Sequence, residues 1–264
     1  MMRLKDKIAI VTGGAQGIGR QYSLRLVEEG AAVALVDLRQ EQAAQVAEEI
    51  ANAGGKALAI TADVTRKEEM EAMAQRVADH FGRIDILINN AALYYDLELR
   101  EASIEYGRKV LDVNLFGVIL PSFAVFPFMQ RQQSGSVINI ASIAAWPGVV
   151  RAPARRGAAA PPSLRGGDYY GLSKLGVIYL TQTLAMNFGP HNVRVNAIAP
   201  GVTMSEATRK VVPGTLIEAM IGHSALGRSL EPRDLTGTAV FLASDDSALM
   251  TGQCLVVDAG CKIS

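Results

Sequence analysis

A single doubly wound α/β domain, with a parallel seven-stranded sheet and helices on both faces, is the fold class this chain predicts. Three observations predict it. The 264 residues are 49% hydrophobic and 20% charged, an ordinary balance for one large domain with a buried core. Its short β-branched runs are apolar at successive positions, as strands buried on both faces require. These runs alternate with longer stretches of helical periodicity, the rhythm of right-handed βαβ crossovers.

The elements follow in order. KIAIVT (7–12) reads as a strand and leads into a helix over about 17–30. AVALVD (32–37) precedes an Ala/Glu/Gln-rich helix over 40–53, and ALAITAD (57–63) precedes a helix over 66–81. IDILINN (84–90) leads to a long apolar helix over 103–132. SVINIAS (136–142) is the fifth strand, and a helix over 169–188 leads to VRVNAIAP (193–200). A last helix over 232–243 precedes QCLVVD (253–258). Two segments break the rhythm, 143–168 and 201–231.

Composition excludes several classes. Lys+Arg and Asp+Glu stand at 26 each, so no bulk charge recruits nucleic acid or an anionic membrane. The N-terminus carries no signal-peptide pattern. The most apolar stretch, Leu115–Met129, is short for a span and contains Pro121 and Pro127. Two cysteines, Cys254 and Cys261, make no disulfide framework, and a reducing cytoplasm is the expected location. The three histidines have no metal-ligand spacing, and no metal is expected.

VTGGAQGIGR (11–20) runs from the first strand into the first helix with Gly13, Gly17 and Gly19 as G-x-x-x-G-x-G. Glycines there let backbone N–H groups approach a pyrophosphate at a helix N-terminus. Asp37 ends the second strand, 18 residues after Gly19 (37 − 19). An acid there can bond an adenosine ribose and repel a 2′-phosphate, which favours NAD over NADP. Its plainer role is to cap the helix that follows. Arg39 could in principle reach a 2′-phosphate.

Five further motifs complete a set: NNAA (89–92), DVNLFG (112–117), NIAS (139–142), YGLSK (170–174) and NAIAPG (196–201). Together with the glycine loop, and in this order, they resemble the short-chain dehydrogenase/reductase family over essentially the whole chain. The two ends, RLKDKIAIVTGG and DLTGTAVFLASDDSALMTGQ, are similar to bacterial NAD-dependent secondary alcohol dehydrogenases of the 1-phenylethanol and pyridoxal 4-dehydrogenase type.

The resemblance implies a Rossmann-like fold, NAD as cofactor and a catalytic tetrad. Tyr170 and Lys174 match the family's Y-x-x-x-K, Ser142 its serine after the fifth strand, and Asn114 its asparagine in the long helix. The chemistry suits these residue types. A tyrosine takes the alcohol proton only if its pKa falls from about 10 toward neutrality. A lysine ammonium one helical turn away supplies the positive charge for that. Ser142 would orient the substrate oxygen, and Asn114 would hold a water linking Lys174 to solvent. Taken singly, Tyr170 could be an ordinary aromatic, Ser142 a turn residue and Asn114 a buried residue bonding backbone.

Further cofactor contacts implied by the family fall on Gln16, Ile18 and Leu38, on Asp63 and Val64 beside the adenine, and on Asn90, Ala91 and Ala92. Pro200, Gly201, Val202 and Thr203 would border the nicotinamide. Ala92 departs from the family's usual glycine. Leu93, Tyr94, Tyr95, Trp146 and Met204 are expected around a hydrophobic alcohol or ketone substrate. The segment 203–226 reads as a lid. A homotetramer is expected, with the 103–132 and 169–188 helices packed between subunits. A 3-oxoacyl carrier-protein reductase and a non-catalytic nucleotide sensor are the competing readings.

The stretch RAPARRGAAAPPSLRGGD (151–168) is an insertion near the active site. Ser142 and Tyr170 differ by 28 positions (170 − 142), against about a dozen in the family. A solvated excursion and a cap over the substrate cleft are both compatible with its composition.

Overall fold

The computed structural model describes residues 2–93, 102–147, 164–212 and 214–262. Seven parallel strands form one sheet in the order β3-β2-β1-β4-β5-β6-β7. They are β1 (Ile8–Thr12), β2 (Ala32–Asp37), β3 (Ala57–Thr61), β4 (Ile86–Asn89), β5 (Gly135–Ile140), β6 (Val193–Pro200) and β7 (Cys254–Val257). Every residue of β1, β2 and β4 is buried, as expected of strands covered on both faces.

Alternate residues of each strand feed two cores. Ile10, Val36, Leu87 and Val137 meet α3 (Lys67–Phe81), α5 (Gly117–Gln132) and α6 (Gly166–Phe188) on one face. Val11, Leu35, Ile138 and Ile198 meet α1 (Gly17–Glu28), α2 (Gln40–Asn52) and α9 (Thr236–Ala243) on the other. Between β1 and β4 the order reverses. The crevice outside the carboxyl ends of these two strands is where such sheets bind ligands.

Three local differences from the sequence reading have physical causes. First, β3 stops at Thr61, because Asp63 folds into a turn whose Oδ1 accepts from Thr65 N (2.9 Å) and Oγ1 (2.8 Å). Second, the long helix is not uniform. α4 (Ile104–Leu111) passes through a five-residue π turn, Asp112–Phe116, into α5. Third, α6 starts at Gly166, so the last residues of the apparent insertion are its first turn, where Asp168 Oδ2 accepts from Arg165 N (2.9 Å). Residues 148–163 and 94–101, with Tyr94 and Tyr95, lie outside the described residues.

By length and composition the run Ile104–Gln132 could cross a membrane, since it is 29 residues long with hydropathy 1.8. Here one side of it packs on the sheet, with 39% of its apolar window buried. Val118, Val125 and Met129 are buried against the sheet, with α3 and α6 alongside. The 201–231 segment forms α7 (Glu206–Val211) and α8 (Gly214–Gly222).

Candidate active site

The glycine loop and the loop after β4 are bolted together at the crevice. Thr12 Oγ1 accepts from Asn90 N (3.0 Å) and Ala91 N (3.1 Å), and Asn90 Nδ2 donates to Thr12 O (3.0 Å) and Gly13 O (3.2 Å). Gly13 has φ +64°, a conformation L side chains rarely adopt. A Cβ at Gly19 would lie 2.1 Å from Gly13 O. That turn therefore has room for backbone alone, as a phosphate cradle requires. Gly19→Ala is expected to cut dinucleotide affinity by at least about 100-fold and to lower Tm. NADH fluorescence titration and a melting curve check both, and unchanged binding would contradict the close approach.

Asp37 is 7% exposed at the end of β2. Its Oδ2 accepts from Ala15 N (3.2 Å) and its Oδ1 from Arg39 N (3.1 Å). The residue preceding α2 is Arg39, so Asp37 does not cap that helix. It ties the glycine loop to the strand end. The Arg39 guanidinium pairs with Asp37 (3.5 Å) and donates to Gln16 Oε1.

On the other side of the crevice, α6 carries Tyr170, Ser173 and Lys174. Lys174 is 2% exposed, and its Nζ donates to Ile140 O (2.8 Å) at the end of β5. Burial pulls its ammonium down to about 8, and Nζ stands 5.6 Å from the centroid of the Tyr170 ring. Tyr170 is half-buried. Ser142 precedes a short 3-10 turn, and its Oγ accepts from Ala144 N (3.2 Å).

Asn114 sits in the π turn, fully buried. Its Oδ1 accepts from Leu93 N (2.6 Å), and its Nδ2 donates to Leu93 O (3.2 Å) and Ser173 Oγ (3.1 Å). Ser173 Oγ donates in turn to Tyr170 O (2.7 Å). Both amide hydrogens are therefore spent on protein atoms. What Asn114 does here is clamp the β4 loop to the helix that bears Tyr170. A π turn is a frequent device at functional sites, because it re-aims a side chain without ending the helix.

One cavity of about 780 Å³ gathers most of the residues singled out from the sequence. At its dinucleotide end are Gly13, Gln16, Gly17, Ile18, Asp37 and Leu38, with Asp63 and Val64 beside them. Asn90, Ala91, Ala92 and Leu93 line its middle. Ser142, Tyr170, Lys174, Pro200, Gly201 and Thr203 close the other end. Among the described residues, five expected ones are not on its wall. Gly19 acts through close approach and Asn114 through its clamp. Val202 lies in the backbone pairing with Leu230, its O accepting from Leu230 N (2.8 Å). Trp146 packs near Val177 and Ala199, with Lys262 Nζ 4.5 Å from its ring centroid. Met204 lines a neighbouring cavity. The sequence reading missed Thr12, Ser173, Lys109 and Asp112. Thr12 and Ser173 stand inside quoted motifs. Asp112 opens the DVNLFG motif, and Lys109 lies one turn before it in α4.

Comparison with known proteins shows the family. The family description "Enoyl-(Acyl carrier protein) reductase" matches residues 13–262. The chain belongs to the short-chain dehydrogenase/reductase family. It is an oxidoreductase of that family, whose members typically bind a nicotinamide cofactor. Cyclopentanol dehydrogenase of Comamonas sp. is 33% identical over 98% of each chain. The 3-oxoacyl-[acyl-carrier-protein] reductase FabG of Thermotoga maritima is 34% identical, covering 99% of this chain and 100% of its own. A solved 7α-hydroxysteroid dehydrogenase, complexed with NADH and 7-oxo glycochenodeoxycholic acid, superimposes with TM-score 0.87. It is 29% identical and covers 98% of this chain and 95% of its own.

Proposed function

We propose that the protein interconverts a hydrophobic secondary alcohol, aryl or alicyclic, and its ketone, with NAD(H) as cofactor and Tyr170 as general acid/base. The observation that carries this is the shared wall. Tyr170, Lys174 and Ser142 face the same cavity as the glycine loop and Asp37. Bound NAD would supply the hydride acceptor, held by the Gly13–Gly19 turn, Asp37 and the Thr203 loop. In oxidation, Tyr170 Oη takes the hydroxyl proton as hydride leaves the carbinol carbon, and in reduction it returns the proton. The Lys174 charge favours the phenolate. Ser142 Oγ orients the substrate oxygen. Leu93 contributes an apolar surface to the same wall. A cytoplasmic location fits this chemistry.

The cofactor preference rests on Asp37. Expected kcat/KM is at least about 10-fold higher for NADH than for NADPH, and Asp37→Asn narrows the gap by removing the repulsion of a 2′-phosphate. An unchanged ratio in the variant would remove Asp37 from that role. Reduction of a carrier-bound 3-oxoacyl group is the second reading, favoured by the names of the family description and of the FabG relative. It expects NADPH preference, so the same comparison separates the two. A turnover screen over aryl, alicyclic and polyol alcohols and their ketones then fixes the substrate class.

A homotetramer is part of this proposal. Phe116 and Phe123, on the long helix, and Leu172, Leu175, Tyr179 and Met186, on α6, are exposed apolar residues, Tyr179 at 72% and Met186 at 79%. Large exposed apolar faces of this kind mark association surfaces. Light scattering is expected to give four times 28.1 kDa, and a monomer would refute it.

A further inference from the structure

A second cavity, of about 840 Å³, abuts the first, and Gln16, Gly17, Arg39 and Ser205 belong to the walls of both. One side is scaffold, from α1 and α2. The other side is the segment after β6, from Met204 to Lys210, together with Glu231–Arg233. No catalytic group of the first cavity lies on its wall.

Its charges do not cancel. Arg20 is held by Glu49 (2.6 and 2.7 Å) and Arg209 by Glu231 (3.3 Å). Arg39 is held by Asp37, which belongs to the other cavity. Two further cations, Lys210 and Arg233, have no ion pair among the described residues. Glu206 is the one wall acid in the same position. With Arg39 set against Asp37, the wall keeps an excess of one positive charge, from Lys210 and Arg233 against Glu206.

We propose that this cavity binds a phosphate group, at a site separate from the dinucleotide's own. Lys210 and Arg233 hold the anion from the side of α7 and the 231–233 turn, and Arg39 faces it from the scaffold. A multivalent anion shared by both sides ties α7 to α1 and α2, beside the loop that closes the dinucleotide cavity. Phosphate is therefore a positive effector of dinucleotide retention. The coupling rests on the dinucleotide reading above, whereas the phosphate site itself does not.

The test uses the full chain with inorganic phosphate, and chloride at matched ionic strength as the reference. Phosphate at millimolar concentration is expected to raise Tm by about 2–4 °C over chloride. It is expected to tighten NADH binding about fivefold, measured by fluorescence titration. Simple screening acts in the opposite direction, because NADH is itself an anion. The double variant Lys210→Ala/Arg233→Ala should lose both effects while binding NADH in chloride as the wild type does. Glu206→Gln, which removes the uncompensated acid, should enlarge them. Glycerol 3-phosphate in place of the free ion distinguishes a phosphorylated metabolite from inorganic phosphate, and a response to either supports the site. Equal response to phosphate and chloride overturns the proposal, as does a response that survives the double variant. Weaker NADH binding in phosphate than in chloride overturns it too, by placing the anion in the dinucleotide's own subsite. Should NADH fail to bind in any buffer, the dinucleotide reading falls and the Tm shift still decides the phosphate site.

Discussion

Tyr170→Phe is expected to lower kcat by about three orders of magnitude while changing the Kd for NADH less than twofold. General acid–base catalysis by a positioned side chain contributes about 10²–10⁴-fold. The substitution removes one oxygen and leaves the ring, the α6 backbone and the Ser173 bond to the Tyr170 carbonyl in place. Dinucleotide contacts at the glycine loop and Asp37 lie at the other end of the cavity. A variant that binds NADH and turns over at the wild-type rate would remove Tyr170 from the chemistry. Single-turnover kinetics beside a binding titration make the distinction cleanly.

Lys174→Met is expected to abolish most activity and, at neutral pH, to keep or raise stability. Burial lowers the Lys174 ammonium from 10.5 to about 8 in the folded chain. Where the native state binds fewer protons than the unfolded state, stability rises with pH. For Lys174 that window runs from about 8 to 10.5. Below it, folding must carry a buried charge at full cost, and above it the cost is gone. That cost reaches about 3 kcal/mol for a shift of this size. Methionine avoids it and forfeits the charge-assisted bond to Ile140 O, at about 1.5–3 kcal/mol. The variant should therefore match or exceed the wild type in stability at pH 7, by up to about 1.5 kcal/mol, with the advantage fading as pH approaches 10. Denaturant melts at several pH values read this directly. A variant less stable at pH 7 than the wild type would mean that the ammonium is better satisfied than its surroundings indicate. The trade is typical of functional groups, where activity is kept at the expense of stability.

Most of the fold was legible from the sequence because strands buried on both faces leave an unbroken apolar run, and β2 and β6 match their expected bounds. The start of α6 was not, since Gly166 and Gly167 look like loop residues and only the Asp168 bond to Arg165 N reveals the helix. The π turn was invisible for a different reason. Its sequence, DVNLF, has ordinary helical periodicity, and the turn coincides with the bonds of Asn114 to Leu93, a residue distant in sequence. The candidate site was legible where motifs are short-range, as at Gly13–Gly19 and Tyr170–Lys174. Trp146 and Met204 are set by residues far along the chain, Lys262 over the Trp146 ring for one and a cavity shared with α1 and α2 for the other, which no local pattern announces. The second cavity joins segments some 200 positions apart, and no local pattern could announce it.

The π turn also makes this stretch of helix the place where chain length can change. Removing one residue from a regular helix swings everything downstream by about 100°, which in α5 would carry Val118, Val125 and Met129 out of the core. Removing one from Asp112–Phe116 would instead leave an ordinary α-helical segment, with α5 able to keep its seat and Asn114 torn from Leu93. A single-codon deletion there should yield a folded and inactive protein, so the cavity beneath this helix is guarded by the count of its residues as much as by their kind.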